Sequence, residues 1–268
     1  MTGNEPRLTV LGSATPFPGA DNACSGYLLS AGDTHVWMDA GTGTLAELQR
    51  HIAFEQLDAI WISHLHADHT ADLLTAFYAA LYSGIRLPAP IPLYGPPGIA
   101  DRLAHFLTNS ARRSPIESAF DVHELHDGHR VRVGPLELTS AEVVHGMPAF
   151  AVRIEDKGVD GGGVLVYSGD TAPCASLVAL ATGCDVLLCE ADSSTAAADE
   201  PPVHHTPEEA GETAHRAGAH RLVVTHVGPG MTPGDAVSRA ETSYDGRVEH
   251  AAPGSSFALR RAEAGQGV

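Results

Sequence analysis

The run from Trp61 to Leu74, WISHLHADHTADLL, crowds His64, His66, Asp68 and His69 into six positions between an apolar stretch and a helical pattern. Few segments constrain a fold so tightly. The preceding residues, LDAIWIS, have the length and content of a buried strand, so the polar side chains that follow project from its end into a strand-to-helix loop. The helix is expected to begin near Thr70. While the chain is extended, His64 and His66 point to the same side. Asp68 and His69 lie round the turn, offset toward a neighbouring position. One loop can thus serve two adjacent metal ions, and imidazole with carboxylate suits zinc, manganese or iron far better than calcium. A polar loop capped by Asp68 is the bland alternative, and it leaves three clustered histidines unexplained.

Such a loop needs partners from elsewhere in the chain. His145 ends the run LELTSAEVV, Asp170 ends GVLVYSG, and His226 ends HRLVVT. Each is expected at the C-terminal end of a strand, so one rim of a sheet sandwich could collect them all. The wider pattern agrees. Short runs rich in Val, Ile and Leu, such as RLTVLG, THVWMDAG, FAVRIED and DVLLCEAD, are bounded by Gly, Pro, Asp or Asn, and helical patterns separate several of them. Thr206 and Glu209 form a capping box, with Pro207 at the first helical position. The first two-thirds is rich in strands, the last third alternates strand with helix, and mixed sheets between helices in four layers satisfy both. Tyr78 and Tyr82, spaced i, i+4, are read as core or pocket wall. His123, His126 and His129 are read as solvated loop histidines.

The segments SHLHADHTADL, VVHGMPAFAVRIE, VYSGDTAP and LVVTHVGP, with LTVLGSATPFPGADNACSGYLL and WMDAGTGT, resemble the metallo-β-lactamase-fold hydrolases, and most nearly their ribonuclease Z and phosphodiesterase branch. The resemblance runs from Leu8 to Leu259. It implies an α/β fold, a four-layer αββα sandwich of two mixed sheets between helices, with residues 1–268 as one hydrolase domain. It implies two zinc ions, manganese being an alternative. One would be held by His64, His66 and His145, the other by Asp68, His69 and His226, with Asp170 bridging. Asp39 in WMDAGTG resembles the family's supporting aspartate behind the site. The stretch VHHTPEEAGETAHRAGAHRLVVTH resembles the family's H-x-T motif, which places the substrate-facing histidine on His204, or on His205 if the alignment slips by one. His204 and Asp68 are the catalytic residues the resemblance implies.

Two divalent ions about 3.5–4 Å apart can bridge a hydroxide near neutral pH and polarise a substrate oxygen, so hydrolysis needs no serine or cysteine nucleophile. A phosphodiester is the expected substrate. Lactones, esters and sulfate esters could be cleaved by the same groups, and tRNA 3′-end processing or a non-hydrolytic metal protein are the remaining readings. Redox relatives usually carry Glu at the position of His66, and its retention favours zinc and hydrolysis.

Composition narrows the partners. The formal net charge is −17 and Lys157 is the only lysine, so the chain shows no basic stripe of the kind that grips a phosphate backbone. The tRNA-processing members carry a long arm between the third histidine and the bridging aspartate. Here that interval is 170 − 145 = 25 positions and reads as two strands and a loop. A small-molecule substrate is therefore expected over nucleic acid, although a partner or the mate in a homodimer could supply a basic surface. Cys24, Cys174, Cys184 and Cys189 show no C-x-x-C pairing and read as free thiols, and no apolar run approaches the ~18 residues of a membrane helix. A cytoplasmic protein that does not engage membranes is the expectation.

Overall fold

The computed structural model describes residues 5–106, 112–158, 162–193, 195 and 201–259. In chain order the strands begin with β1 (Arg7–Ala14), β2 (Ala23–Cys24), β3 (Gly26–Ala31), β4 (Thr34–Met38), β5 (Ala59–Trp61), β6 (Ile91–Gly95) and β7 (Phe120–Glu124). They continue with β8 (Arg130–Val133), β9 (Leu136–Glu142), β10 (Phe150–Asp156), β11 (Val164–Tyr167), β12 (Val186–Ala191), β13 (Arg221–Val227), β14 (Arg247–His250) and β15 (Ser256–Ala258). The helices are α1 (Thr44–Leu48), α2 (Ala67–Thr70), α3 (Asp72–Tyr82), α4 (Ile99–Phe106), α5 (Ala175–Leu180), α6 (Pro207–Ala217) and α7 (Pro233–Ala240).

Two mixed sheets result. The first has the order β15-β1-β3-β4-β5-β6-β7, with β2 alongside β1, and the second β14-β13-β12-β11-β10-β9-β8. Both follow the same plan. Antiparallel pairs come first (β1 with β3 and β3 with β4; β8 with β9, β9 with β10 and β10 with β11), and parallel pairs follow from β4 to β7 and from β11 to β14.

Strand alternation fixes the layers, because successive side chains face opposite sides of a sheet. In β4, Val36 and Met38 join Val186, Leu188 and Val223 in the layer between the sheets. Trp37 points the other way, into a layer with Leu73, Phe77 and Leu103 of α3 and α4. On the far side, Leu187 and Cys189 of β12 pack with Leu222, Val224 and the alanines Ala210, Ala214 and Ala217 of α6. Three apolar layers separate four layers of structure, which is the αββα sandwich expected from the sequence.

One local expectation is corrected and another is narrowed. The helix after the first histidines starts at Ala67 and not near Thr70, with extended His66 (φ −68°, ψ 154°) as its N-cap. Asp68 and His69 therefore lie in the first helical turn, where the carboxylate complements the N-terminal dipole. Tyr78 and Tyr82 are 52% and 69% exposed, their rings 5.5 Å apart, and neither enters the core. The capping box holds as expected: Thr206 accepts from the Glu209 N–H and the Glu209 carboxylate accepts from the Thr206 N–H. Between His145 and Asp170 stand β10 and β11, paired antiparallel with Val152 opposite Tyr167; of the loop Lys157 to Gly163, residues 159–161 lie outside the described residues. Among the described residues no helix is long and apolar enough to cross a membrane.

Candidate metal centre

The carboxyl ends of the parallel strands in both sheets open on one rim, where crevices of α/β folds hold ligands. From the first sheet come Asp39, which follows β4, and the segment Ser63–His69, which follows β5. From the second come Asp170 after β11, Glu190 within β12, and His226 within β13. Two local devices aim the side chains. The β12–β13 register pairs Glu190 with Thr225 and then Ala191 with Val227, so His226 is the extra residue of a bulge, and such bulges re-aim side chains. The bridge between Val144 and Ala172 clips the segment carrying His145 to the one carrying Asp170.

Two groups of donors form. His64, His66, His145 and Asp170 place one ligand atom each within 4.8 Å of one another, and so do Asp68, His69 and His226. The ring nitrogens are close: His64 Nε2 to His66 Nδ1 is 3.0 Å, His66 Nδ1 to His145 Nε2 is 3.2 Å, and His69 Nε2 to His226 Nε2 is 3.2 Å. Nitrogens at 2.0–2.1 Å from a tetrahedral ion stand about 3.3 Å apart, so these separations match the edges of such a polyhedron. Asp170 belongs to the first group and also approaches two nitrogens of the second. Its carboxylate lies 3.6 Å from His64 Nε2, 3.3 Å from His69 Nε2 and 3.5 Å from His226 Nε2. Its Oδ1 is buried without a hydrogen bond.

Hydrogen bonds on the far side of the rings turn lone pairs inward. His145 Nδ1–H donates to the Val203 carbonyl at 2.9 Å, and His69 Nδ1–H donates to Asp39 Oδ2 at 2.7 Å. The Ser63 hydroxyl donates to the same Oδ2 at 2.8 Å, so at 3.1 Å it accepts from His64 Nδ1–H. In all three rings Nδ1 is committed to the far side and Nε2 faces the centre, the nitrogen that a metal would take on displacing any proton there. Burial, followed by the neighbouring rings of His69 and His145, holds His64 well below the usual imidazole range. For His69 burial is outweighed by Asp170 and Asp39, which hold it well above that range, and burial of Asp170 is outweighed by His226, His69 and His64, which keep its carboxyl low. The donor set fits a pair of divalent transition ions.

His204 and His205 separate cleanly. His204 joins Asp170 and His226 in a third close group, its Nδ1 donating to Glu190 Oε1 at 2.8 Å. Burial disfavours its cation, yet the Glu190 bond and charge, then Asp170 and Asp192, raise it to about 9. His205 is fully buried behind the site, where Nδ1–H donates to the Thr171 carbonyl at 2.6 Å and Nε2 accepts from Thr213 at 3.0 Å. Both of its nitrogens are spent. Glu190 was not singled out from the sequence. It is buried, accepts from the Thr171 N–H at 2.9 Å and the Asp192 N–H at 3.0 Å, and carries His204. The available signal was the pair of acids closing an apolar strand in DVLLCEAD. His123, His126 and His129 join none of these groups; the His123 ring stacks on Tyr94 with centroids 5.0 Å apart.

The family profile of the beta-lactamase superfamily domain matches residues 34–227, a span that takes in Asp39 and all the clustered residues. The chain belongs to the metallo-β-lactamase superfamily. A ribonuclease Z of Mycobacterium bovis (strain BCG / Pasteur 1173P2) is 31% identical to this superfamily member over 277 residues, 90% of this chain and 94% of its own. An uncharacterized protein of Mycobacterium leprae is 38% identical over 262 residues, 96% of this chain and 90% of its own. Among solved structures, the metallo-β-lactamase fold protein YhfI from Bacillus subtilis superposes with a TM-score of 0.80 at 26% identity, covering 95% of this chain and 99% of that one. As a metallo-β-lactamase superfamily hydrolase the chain is a metal-dependent enzyme, and the fold implies a metal, typically zinc.

Proposed function

We propose that this hydrolase carries two zinc ions and cleaves a small phosphodiester, such as a cyclic nucleotide or a nucleoside phosphodiester. The observation that carries the reading is Asp170, whose one carboxylate reaches ring nitrogens of both donor groups. On this reading His64, His66 and His145 hold one ion, and Asp68, His69 and His226 the other. Two such ions supply an activated water and a polarised phosphoryl oxygen. The remaining chemistry belongs to the chain. His204 keeps Nδ1–H on Glu190, which favours its protonated form, and when protonated presents Nε2–H to a phosphoryl oxygen or to the departing alkoxide, which it protonates. Asp39 fixes His69 and, through Ser63, His64, so that neither ring must reorient during turnover.

The relative named ribonuclease Z supports phosphodiester chemistry and also makes precursor tRNA the second reading. Against that substrate stand the β10–β11 hairpin in place of an arm and the net charge of −17. We read residues 1–268 as one catalytic unit, since both donor groups draw on both sheets. The free thiols of Cys24, Cys174, Cys184 and Cys189 support a reducing, cytoplasmic setting. The deciding experiment pairs metal analysis with kcat/KM on a panel of cyclic nucleotides, bis(p-nitrophenyl) phosphate, lactones, aryl sulfates and a precursor tRNA. About two zinc ions per chain and a preference for the small phosphodiesters are expected. Efficient, site-specific trailer removal from the tRNA would overturn the substrate, and activity confined to lactones or sulfates would move the bond cleaved.

A further inference from the structure

Among the described residues only Asp39 (φ 53°) and His226 (φ 48°) are non-glycine residues with positive φ. Such a backbone costs energy and persists where its surroundings over-determine it. In both cases a buried tyrosine from the opposite sheet supplies part of that determination. The Tyr167 hydroxyl, at the end of β11 in the second sheet, donates to Asp39 Oδ2 in the first at 2.6 Å. The Tyr27 hydroxyl, in β3 of the first sheet, bonds the Thr225 hydroxyl in the second at 2.6 Å, one residue before His226. The two rings meet edge to face with centroids 5.1 Å apart, and both are fully buried in the layer between the sheets.

The contacts converge on one half of the centre. Asp39 receives His69 Nδ1–H at 2.7 Å, and His69 Nε2 faces His226 Nε2 at 3.2 Å. His64 reaches Asp39 only indirectly, through Ser63, whose N–H and hydroxyl both donate to the Asp39 carboxylate; His145 is anchored instead by the Val203 carbonyl. We propose that Tyr27 and Tyr167 are positioning residues that clasp the two sheets so as to set the spacing of His69 and His226, and with it the grip of the Asp68, His69 and His226 group on its metal. The group of His64, His66 and His145 loads largely independently of the clasp. The inference rests on the two-ion reading above.

The test uses the full-length protein and its Tyr27→Phe and Tyr167→Phe variants, which keep the rings and delete single hydroxyls. Chelator-competition titrations with zinc, and absorption spectra during stepwise cobalt loading, resolve the two binding steps without an activity assay. In each variant one step should weaken about tenfold, the low end for partners that support a metal-binding ring. The other should shift by less than about threefold, and adding His69→Ala should abolish the weakened step. Thermal melts of the metal-free proteins report on packing. Lower melting temperatures with both metal affinities unchanged, or equal weakening of both steps, would overturn the proposal in favour of a purely structural role. A wild-type protein that takes up one ion would reject the two-ion reading and this inference with it. A wild type taking two, matched site by site by both variants, would reject the clasp alone.

Discussion

His204 hangs from Glu190: Nδ1 of the half-buried ring donates to Oε1 across 2.8 Å, while Glu190 spends its remaining capacity on the N–H groups of Thr171 and Asp192. The carboxylate thus fixes where the ring sits and which nitrogen is left over, and it favours the cation.

In metal-free protein, His204 should titrate near 9, against an ordinary value of 6.5. A folded-state pKa above the unfolded one contributes stability that is complete below the unfolded value, here about 6.5, and is lost as pH rises through about 9. Denaturant melts from pH 6 to pH 10 should lose stability across that window. His204→Asn should flatten that loss, and Glu190→Gln should bring the ring's NMR titration back toward its ordinary value. An unchanged titration in Glu190→Gln would show that Glu190 does not sustain the cation.

Asp68→Ala and His204→Ala should fail in different ways. Asp68 lies 3.3 Å from His226 Nε2 within a donor group, so its loss should lower metal content together with turnover. His204→Ala should keep its metal and lose roughly 10²–10⁴-fold in rate, the usual contribution of a general acid. Elemental analysis beside steady-state kinetics separates the two, and equal metal depletion would reject the division.

His205→Ala should be a stability variant. The ring is buried with both nitrogens bonded, so truncation should cost about 1–3 kcal/mol by leaving the Thr171 carbonyl and the Thr213 hydroxyl without their partner. Urea melts measure this. A rate loss as deep as that of His204→Ala, with stability intact, would reverse the assignment of the two histidines.

Stripping the metals should destabilise the fold. Each zinc at a thousand times its dissociation constant adds about 4 kcal/mol, because it binds the native state. Scanning calorimetry of chelated and reloaded protein should show a melting temperature that climbs with zinc concentration, and an unchanged transition would mean that the donor groups do not bind the ion.

The sandwich and the convergence of His64, His66, Asp68, His69, His145, Asp170 and His226 were legible because these residues stand at or just past the ends of apolar runs that have to be buried, whereas His204, in PPVHHTPEE, was reached only through the resemblance to the family's H-x-T motif. The start of α2 was not. Ala67–Thr70 carries no apolar periodicity, and His66 caps it through backbone geometry alone. Glu190 was hidden because an acid at the end of a strand reads as a turn, and its burial becomes reasonable only once His204 and two N–H groups reach it. The tyrosine contacts depend on how one sheet sits over the other, which no period in the sequence encodes. Tyr78 and Tyr82 show the reverse limit: i, i+4 spacing fixed their mutual contact but not the side of the helix that faces the core.

The interleaving of the two sheets also has a temporal side. The clustered side chains are drawn from chain positions as far apart as Asp39 and His226, and the Asp68 and His69 pair is incomplete until β13 has been added beside β12. A ribosome must therefore release the fourth histidine-bearing segment before the second donor group can exist. On the two-ion reading, the second ion can be held only once nearly all of the sandwich is in place.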